Sequence, residues 1–183
     1  MKKLLITSLL ALASFTAAAG NVTMEYSGVQ GLNGGKDATG YLFQVSETVA
    51  KNLDISAQMV TTQTSGTNSL GSRVEVGLTP KLPTVFGSLY TKVAVGEKLT
   101  SGGPKEYYSV EPGVVVSLNK DISVRAGYRY RAAFDSAIRD TTRTERLGVS
   151  YALTKKDSLN VRFDRVRGDN IQNSWNLAYT RRF

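Results

Sequence analysis

The side chains able to do chemistry in this chain are arginines and carboxylates set at alternate positions, and its 183 residues contain neither histidine nor cysteine. Arg125, Arg129 and Arg131 keep the spacing that puts side chains on one face of a β-strand, with Gly127 on the same face. Arg73 with Glu75 and Arg162 with Asp164 repeat it, while Lys92, Glu111 and Arg146 fall on similar polar faces. A guanidinium presents a planar fork of donors that suits carboxylate and phosphate. Attraction of anions is the chemistry these residues can do. Without His there is no Ser-His-Asp arrangement or other histidine-assisted catalysis, and without His or Cys a transition-metal site lacks its best ligands. Glu75 and Glu111 show no pairing of the glycosidase kind. Asp135, Asp140 and Asp169 are loop carboxylates but form no spaced calcium ladder. No enzyme activity and no cofactor are expected.

The elements that carry these residues alternate with period two from Asn21 to Phe183, and no helical period is sustained. Ten strands are predicted, over 21–30, 40–49, 53–62, 70–79, 84–95, 105–118, 121–133, 142–153, 158–167 and 172–183. Most reach the roughly 9–11 residues that a tilted strand needs to cross a bilayer. Tight connections are predicted at 50–52, 80–83, 119–120 and 154–157. Longer ones, rich in Gly, Ser, Thr and Asp, are predicted at 31–39, 63–69, 96–104 and 134–141, with a short one at 168–171. Short turns on one side and longer loops on the other match outer-membrane topology.

One face of each strand is apolar, as in Ile122, Val124, Ala126, Tyr128 and Tyr130, or Leu147, Val149 and Tyr151. Periodicity alone fits a soluble barrel as well as one turned inside out. Strand length favours lipid outside, as do aromatics near strand ends (Tyr26, Tyr41, Tyr108, Trp175, Tyr179, Phe183). Glycines on the polar face weaken a strand unless a crowded interior needs the room, here for arginine. Residues 1–19 read as a secretory signal peptide, with Lys2 and Lys3, an apolar run from Leu4 to Phe15, and small residues before a cut. Residues 20–183 then form one domain. The fold class is all-β, a transmembrane antiparallel up-and-down β-barrel of about ten strands, with eight or twelve as alternatives.

Over this domain the chain resembles small Gram-negative outer-membrane β-barrel proteins, on its alternating strands and a last strand that ends in Phe183. That resemblance implies an assembly signal in Trp175, Leu177, Tyr179 and Phe183, recognised by the barrel-assembly machinery. The Arg125-Gly127-Arg129-Arg131 row is weakly similar to the small monomeric porins for acidic oligosaccharides.

The polar face is expected to line a pore with Arg73, Glu75, Lys92, Glu111, Arg125, Arg129, Arg131, Arg146, Arg162 and Asp164, joined by Glu25 and Arg182. Its cationic surplus would draw small anionic solutes. The expected function is a narrow, anion-preferring passive channel. The alternative is a plugged barrel, filled by Arg–carboxylate pairs, that works as an adhesin or membrane-structural protein through its loops. Charge reversal at Arg129 and Arg131 is expected to lower anion preference. Other expected partners are outer-membrane lipid and lipopolysaccharide, the latter through Lys36, Arg139 and Arg143. The net charge of +8 invites a nucleic-acid reading, which an exported barrel excludes.

Overall fold

A computed structural model of the protein describes residues 20–67, 70–100, 103–138, 140–168 and 171–183. The residues assigned to the signal peptide, and Arg139 and Asp169, lie outside that set. The ten strands are β1 (Asn21–Gly31), β2 (Ala38–Ala50), β3 (Leu53–Thr64), β4 (Leu70–Thr84), β5 (Gly87–Thr100), β6 (Gly103–Ser117), β7 (Ile122–Ala133), β8 (Thr142–Ala152), β9 (Asp157–Arg167) and β10 (Gln172–Arg182). Each pairs antiparallel with its neighbours in sequence, and β1 pairs with β10 from Asn21↔Arg182 to Gly31↔Gln172. The sheet therefore closes. Closure leaves no strand edge and lets every strand satisfy its backbone within the wall, the condition for crossing a bilayer without helices.

The alternation sorts side chains into two environments. Leu147, Val149, Val161, Leu177 and Trp175 stand exposed on the outer surface, Trp175 at 64 % of its possible area. Glu75, Glu111, Arg129 and Asp164 are buried on the inner one. No soluble fold exposes its aliphatic residues while burying its charges. Aromatic rings pack on the same outer surface: Tyr26 against Tyr41 at 5.6 Å, Tyr108 against Phe134 at 5.4 Å, and Phe163 against Trp175 at 4.9 Å. The apolar packing lies in the wall, where Val45 and Ala57 meet Val22 and Phe43.

Two predicted connections are corrected. Residues 80–83 are strand, and the β4–β5 turn is Val85-Phe86, closed by Thr84↔Gly87. The prolines mislead because each falls where one side of β4 is unpaired: Pro80 lies in the break of the β4–β5 ladder between Leu78↔Val93 and Lys81↔Tyr90. Pro83 lies past the last contact on the β3 side, the Lys81 N–H to the Asn52 carbonyl at 2.7 Å, so a missing N–H costs little. Gly87 has φ +152°, and a Cβ there would come within 2.0 Å of the Val115 carbonyl oxygen. That position accepts glycine only. Residues 96–104 likewise form no long loop: β5 runs to Thr100 and β6 starts at Gly103.

Candidate functional site in the barrel interior

The interior holds a cavity of about 1190 Å³ bordered by residues from both ends of the barrel, Lys36 and Lys98 at the loop end and Asp54 and Arg182 at the end carrying the termini. Arg73, Lys92, Glu111, Arg125, Arg129, Arg131, Arg146, Arg162 and Asp164 all border it. Glu75 sits beneath them, buried in the wall and bound to lining residues. The strands place these side chains by parity alone, since a residue two positions on returns to the same face.

Ion pairs divide the charges into groups. Glu75 of β4 receives Lys92 of β5 at 2.9 Å, the Arg129 guanidinium of β7, and the Tyr107 hydroxyl of β6 at 3.1 Å. Lys92 also donates to Gln58 of β3 at 3.3 Å, and Arg129 to Ser109 Oγ at 3.2 Å. A second chain runs onward around the wall. The Tyr90 hydroxyl donates to Glu111 Oε1 at 3.1 Å, and Glu111 also binds Arg146. Arg146 approaches Asp164 at 3.8 Å, Asp164 binds Arg162 at 2.8 Å, and Arg162 reaches Glu25 of β1 at 2.9 Å. A third group joins Asp140, in the β7–β8 connection, to Arg131 at 2.9 Å and Lys98 at 3.2 Å.

Arg125 and Arg73 belong to no such group. Arg125 lies over the Tyr90 ring with its guanidinium carbon 4.3 Å from the centroid, a cation–π contact that leaves its charge facing the cavity. Arg73 keeps a buried Nε that has no partner among the described residues. The remaining wall, formed by β10 and β1–β3, carries mainly hydroxyls and amides, among them Thr23, Gln44, Ser56, Ser174 and Asn176. The inner charge is therefore gathered on one side of the barrel.

The glycines prove to serve aromatics more than arginines. A Cβ on Gly113 would come within 2.3 Å of the Tyr90 ring, and one on Gly127 within 2.6 Å of its hydroxyl. Tyr107 is buried inside with its hydroxyl on Glu75. Sequence reasoning also missed Lys98, which the expected loop absorbed, and the pairing role of Asp140. For Lys98 the signal was its parity with Lys92 on the same strand; Asp140, on a connection, had none. Asp140 is committed to two cations and Asp135 Oδ1 accepts from the Ala137 N–H. Among the described residues, no three His, Cys, Asp or Glu converge as a metal would need.

Asp140 lies outside the membrane-spanning strands. Its partial burial opposes ionisation, but Arg131 and Lys98 outweigh that and hold the carboxyl below its ordinary range. Trp175, Leu177, Tyr179 and Phe183 all face outward on the last strand or just past it, leaving their side chains open to whatever surrounds the barrel.

No protein-family model matches the sequence, and no curated protein matches it either. Solved structures do. An outer-membrane channel from Pseudomonas putida F1 aligns over 90 % of this chain and 96 % of its own, with TM-score 0.56 and 10 % identity. The translocator domain of the autotransporter NalP from Neisseria meningitidis aligns over 89 % and 87 %, with TM-score 0.53 and 8 % identity. The KdgM porin in complex with disordered oligogalacturonate aligns over 89 % and 99 %, with TM-score 0.52 and 11 % identity. This is the fold of an outer-membrane β-barrel. Such identities speak to fold alone, and the outer-membrane barrel assignment rests equally on the exposed aliphatic belt and the buried charges.

Proposed function

We propose that this outer-membrane β-barrel is a narrow, anion-preferring passive channel lined by its arginines. The observation that carries the reading is a cavity bordered at both ends of the barrel and faced by Arg125, which has no ion pair among the described residues. Around that cavity Lys36, Arg73, Lys81, Lys92, Lys98, Arg125, Arg129, Arg131, Arg146, Arg162 and Arg182 outnumber Glu25, Asp54, Glu75, Glu111, Asp140 and Asp164. Fixed positive charge between low-dielectric walls raises the local concentration of anions and repels cations. A porin with a similar barrel was solved with an oligogalacturonate, a polyanion, which is in keeping with this preference.

One observation favours the plugged reading, with an adhesive or structural role. The Glu75 group reaches from Gln58 on β3 to Arg129 on β7, so side chains lean across part of the interior. Uptake into proteoliposomes separates the two. A channel admits a small organic anion faster than a cation of equal size, and a plugged barrel admits neither. Equal rates for both solutes would remove the anion preference.

Two further partners are proposed for the outer surface. On the outer face of β8 and β9, Arg143, Arg165 and Arg167 stand exposed, with Arg167 bound to Glu145 at 3.1 Å. They suit lipopolysaccharide phosphates better than Lys36, which borders the interior cavity. Trp175, Leu177, Tyr179 and Phe183 are proposed as the assembly signal for the barrel-assembly machinery.

A further inference from the structure

Like charges stand side by side at the loop end of the interior. Arg73 on β4 is the register partner of Lys98 on β5, and Lys98 is the partner of Lys105 on β6. Register partners share a face, and like charges placed directly opposite destabilise a sheet. Arg73 and Lys98 border the cavity, so the row points into the lumen and away from lipid. Arg131 of β7 adds a fourth cation, and it shares the single carboxylate of Asp140 with Lys98, at 2.9 and 3.2 Å.

Among the described residues, Arg73 has no counter-ion of its own. Its Nε is buried and makes no hydrogen bond, while the nearby Glu75 is engaged by Lys92, Arg129 and Tyr107. A buried donor lacking an acceptor costs the desolvation of that group. Two independent features therefore coincide at one place: a row of four cations that shares one carboxylate, and a buried donor with no acceptor among the described residues.

We propose that this mouth is a binding subsite for one water-borne oxyanion of the carboxylate or phosphate class, held by Arg73, Lys98 and Arg131, and that Asp140 is its tethered competitor. An entering oxyanion accepts from the free Arg73 Nε and takes over Lys98 and Arg131. Asp140, on a connection and not on a strand, is displaced toward solvent. Lipid headgroups do not compete, because the row faces the lumen. The subsite deepens the channel reading, yet its occupancy requires an open mouth only.

The test is calorimetric titration of the folded barrel in zwitterionic detergent with inorganic phosphate at fixed ionic strength. One saturable site is expected. Arg73→Gln should weaken it roughly tenfold, the loss of a hydrogen bond to a charged group. Asp140→Asn should tighten it several-fold, and Lys120→Gln, on a turn at the opposite end, should leave it unchanged. Heat-modifiable gel mobility confirms folding, and Lys98→Gln carries the same expectation if Arg73→Gln does not fold. No saturable binding, unchanged binding in Arg73→Gln, or weaker binding in Asp140→Asn would overturn the subsite. A sealed lumen in the uptake assay does not touch this titration, and absent phosphate binding does not close a conducting pore.

Discussion

Arg125 lies over Tyr90, with its guanidinium carbon 4.3 Å from the ring centroid, and the same tyrosine donates to Glu111. One ring thus contacts both a cation and a carboxylate. This geometry leaves Arg125 charged toward the cavity while Glu111 is spent on Arg146. It also shifts the expected selectivity residue. Arg129 and Arg131 each hold a carboxylate already, Glu75 and Asp140. Reversing their charge disrupts packing as well as changing the field.

Removing the Glu75 carboxylate should be costly. Lys92, Arg129 and Tyr107 converge on it, and its side chain is only 1 % exposed. Breaking a buried pair from one side costs about 3–5 kcal/mol because the other charge stays behind uncompensated. Urea unfolding in lipid should show Glu75→Gln destabilised by about that much. A change below about 1 kcal/mol would mean that water already shares the load.

Gly113→Val should destabilise by about 1–3 kcal/mol through collision with the Tyr90 ring. Adding Tyr90→Leu should recover part of the loss, and the pair should be non-additive in the same unfolding assay. Additive losses would place the ring elsewhere.

The Asp140 carboxyl is held below its usual range, so its two ion pairs contribute fully at neutral pH and are lost as pH falls through that lowered value. Acidification below the ordinary carboxylate range should free Lys98 and Arg131 and raise anion preference. In Asp140→Asn that component should be missing from the pH profile. An identical profile in wild type and variant would detach Asp140 from the mouth.

Trp175, the chain's single tryptophan, faces outward beside Phe163. Its fluorescence in vesicles should be quenched by brominated acyl chains and spared by aqueous iodide. The reverse pattern would put water on the outer face.

Much of the fold could be read from alternation, because each strand exposes one face to lipid and one to the lumen, and a register error would flip both. That is why the inner side chains of β7, Arg125, Arg129 and Arg131, were assigned from their own strand. Contacts between strands were less legible. Placing a turn at Pro80–Pro83 would set Glu75 opposite Ser88, whereas it lies opposite Gly96. The error arises because proline breaks a strand paired on both sides, but is tolerated at a break in the ladder, as at Pro80, or on the margin of a protruding hairpin, as at Pro83. A glycine before a polar stretch looks like the start of a loop, yet Gly96 stays in β5 and leaves room for the Tyr107 ring, 2.7 Å from where its Cβ would lie. The Arg129–Glu75 contact spans 54 positions and three strand steps, and no local pattern reports it.

The most direct measurement is the reversal potential of single channels in a planar bilayer under a potassium chloride gradient, for wild type and Arg125→Gln. Discrete conductance steps with an anion-selective potential are expected, reduced toward zero in the variant. Absence of steps, or a cation-selective potential in wild type, would contradict an arginine-governed anion channel.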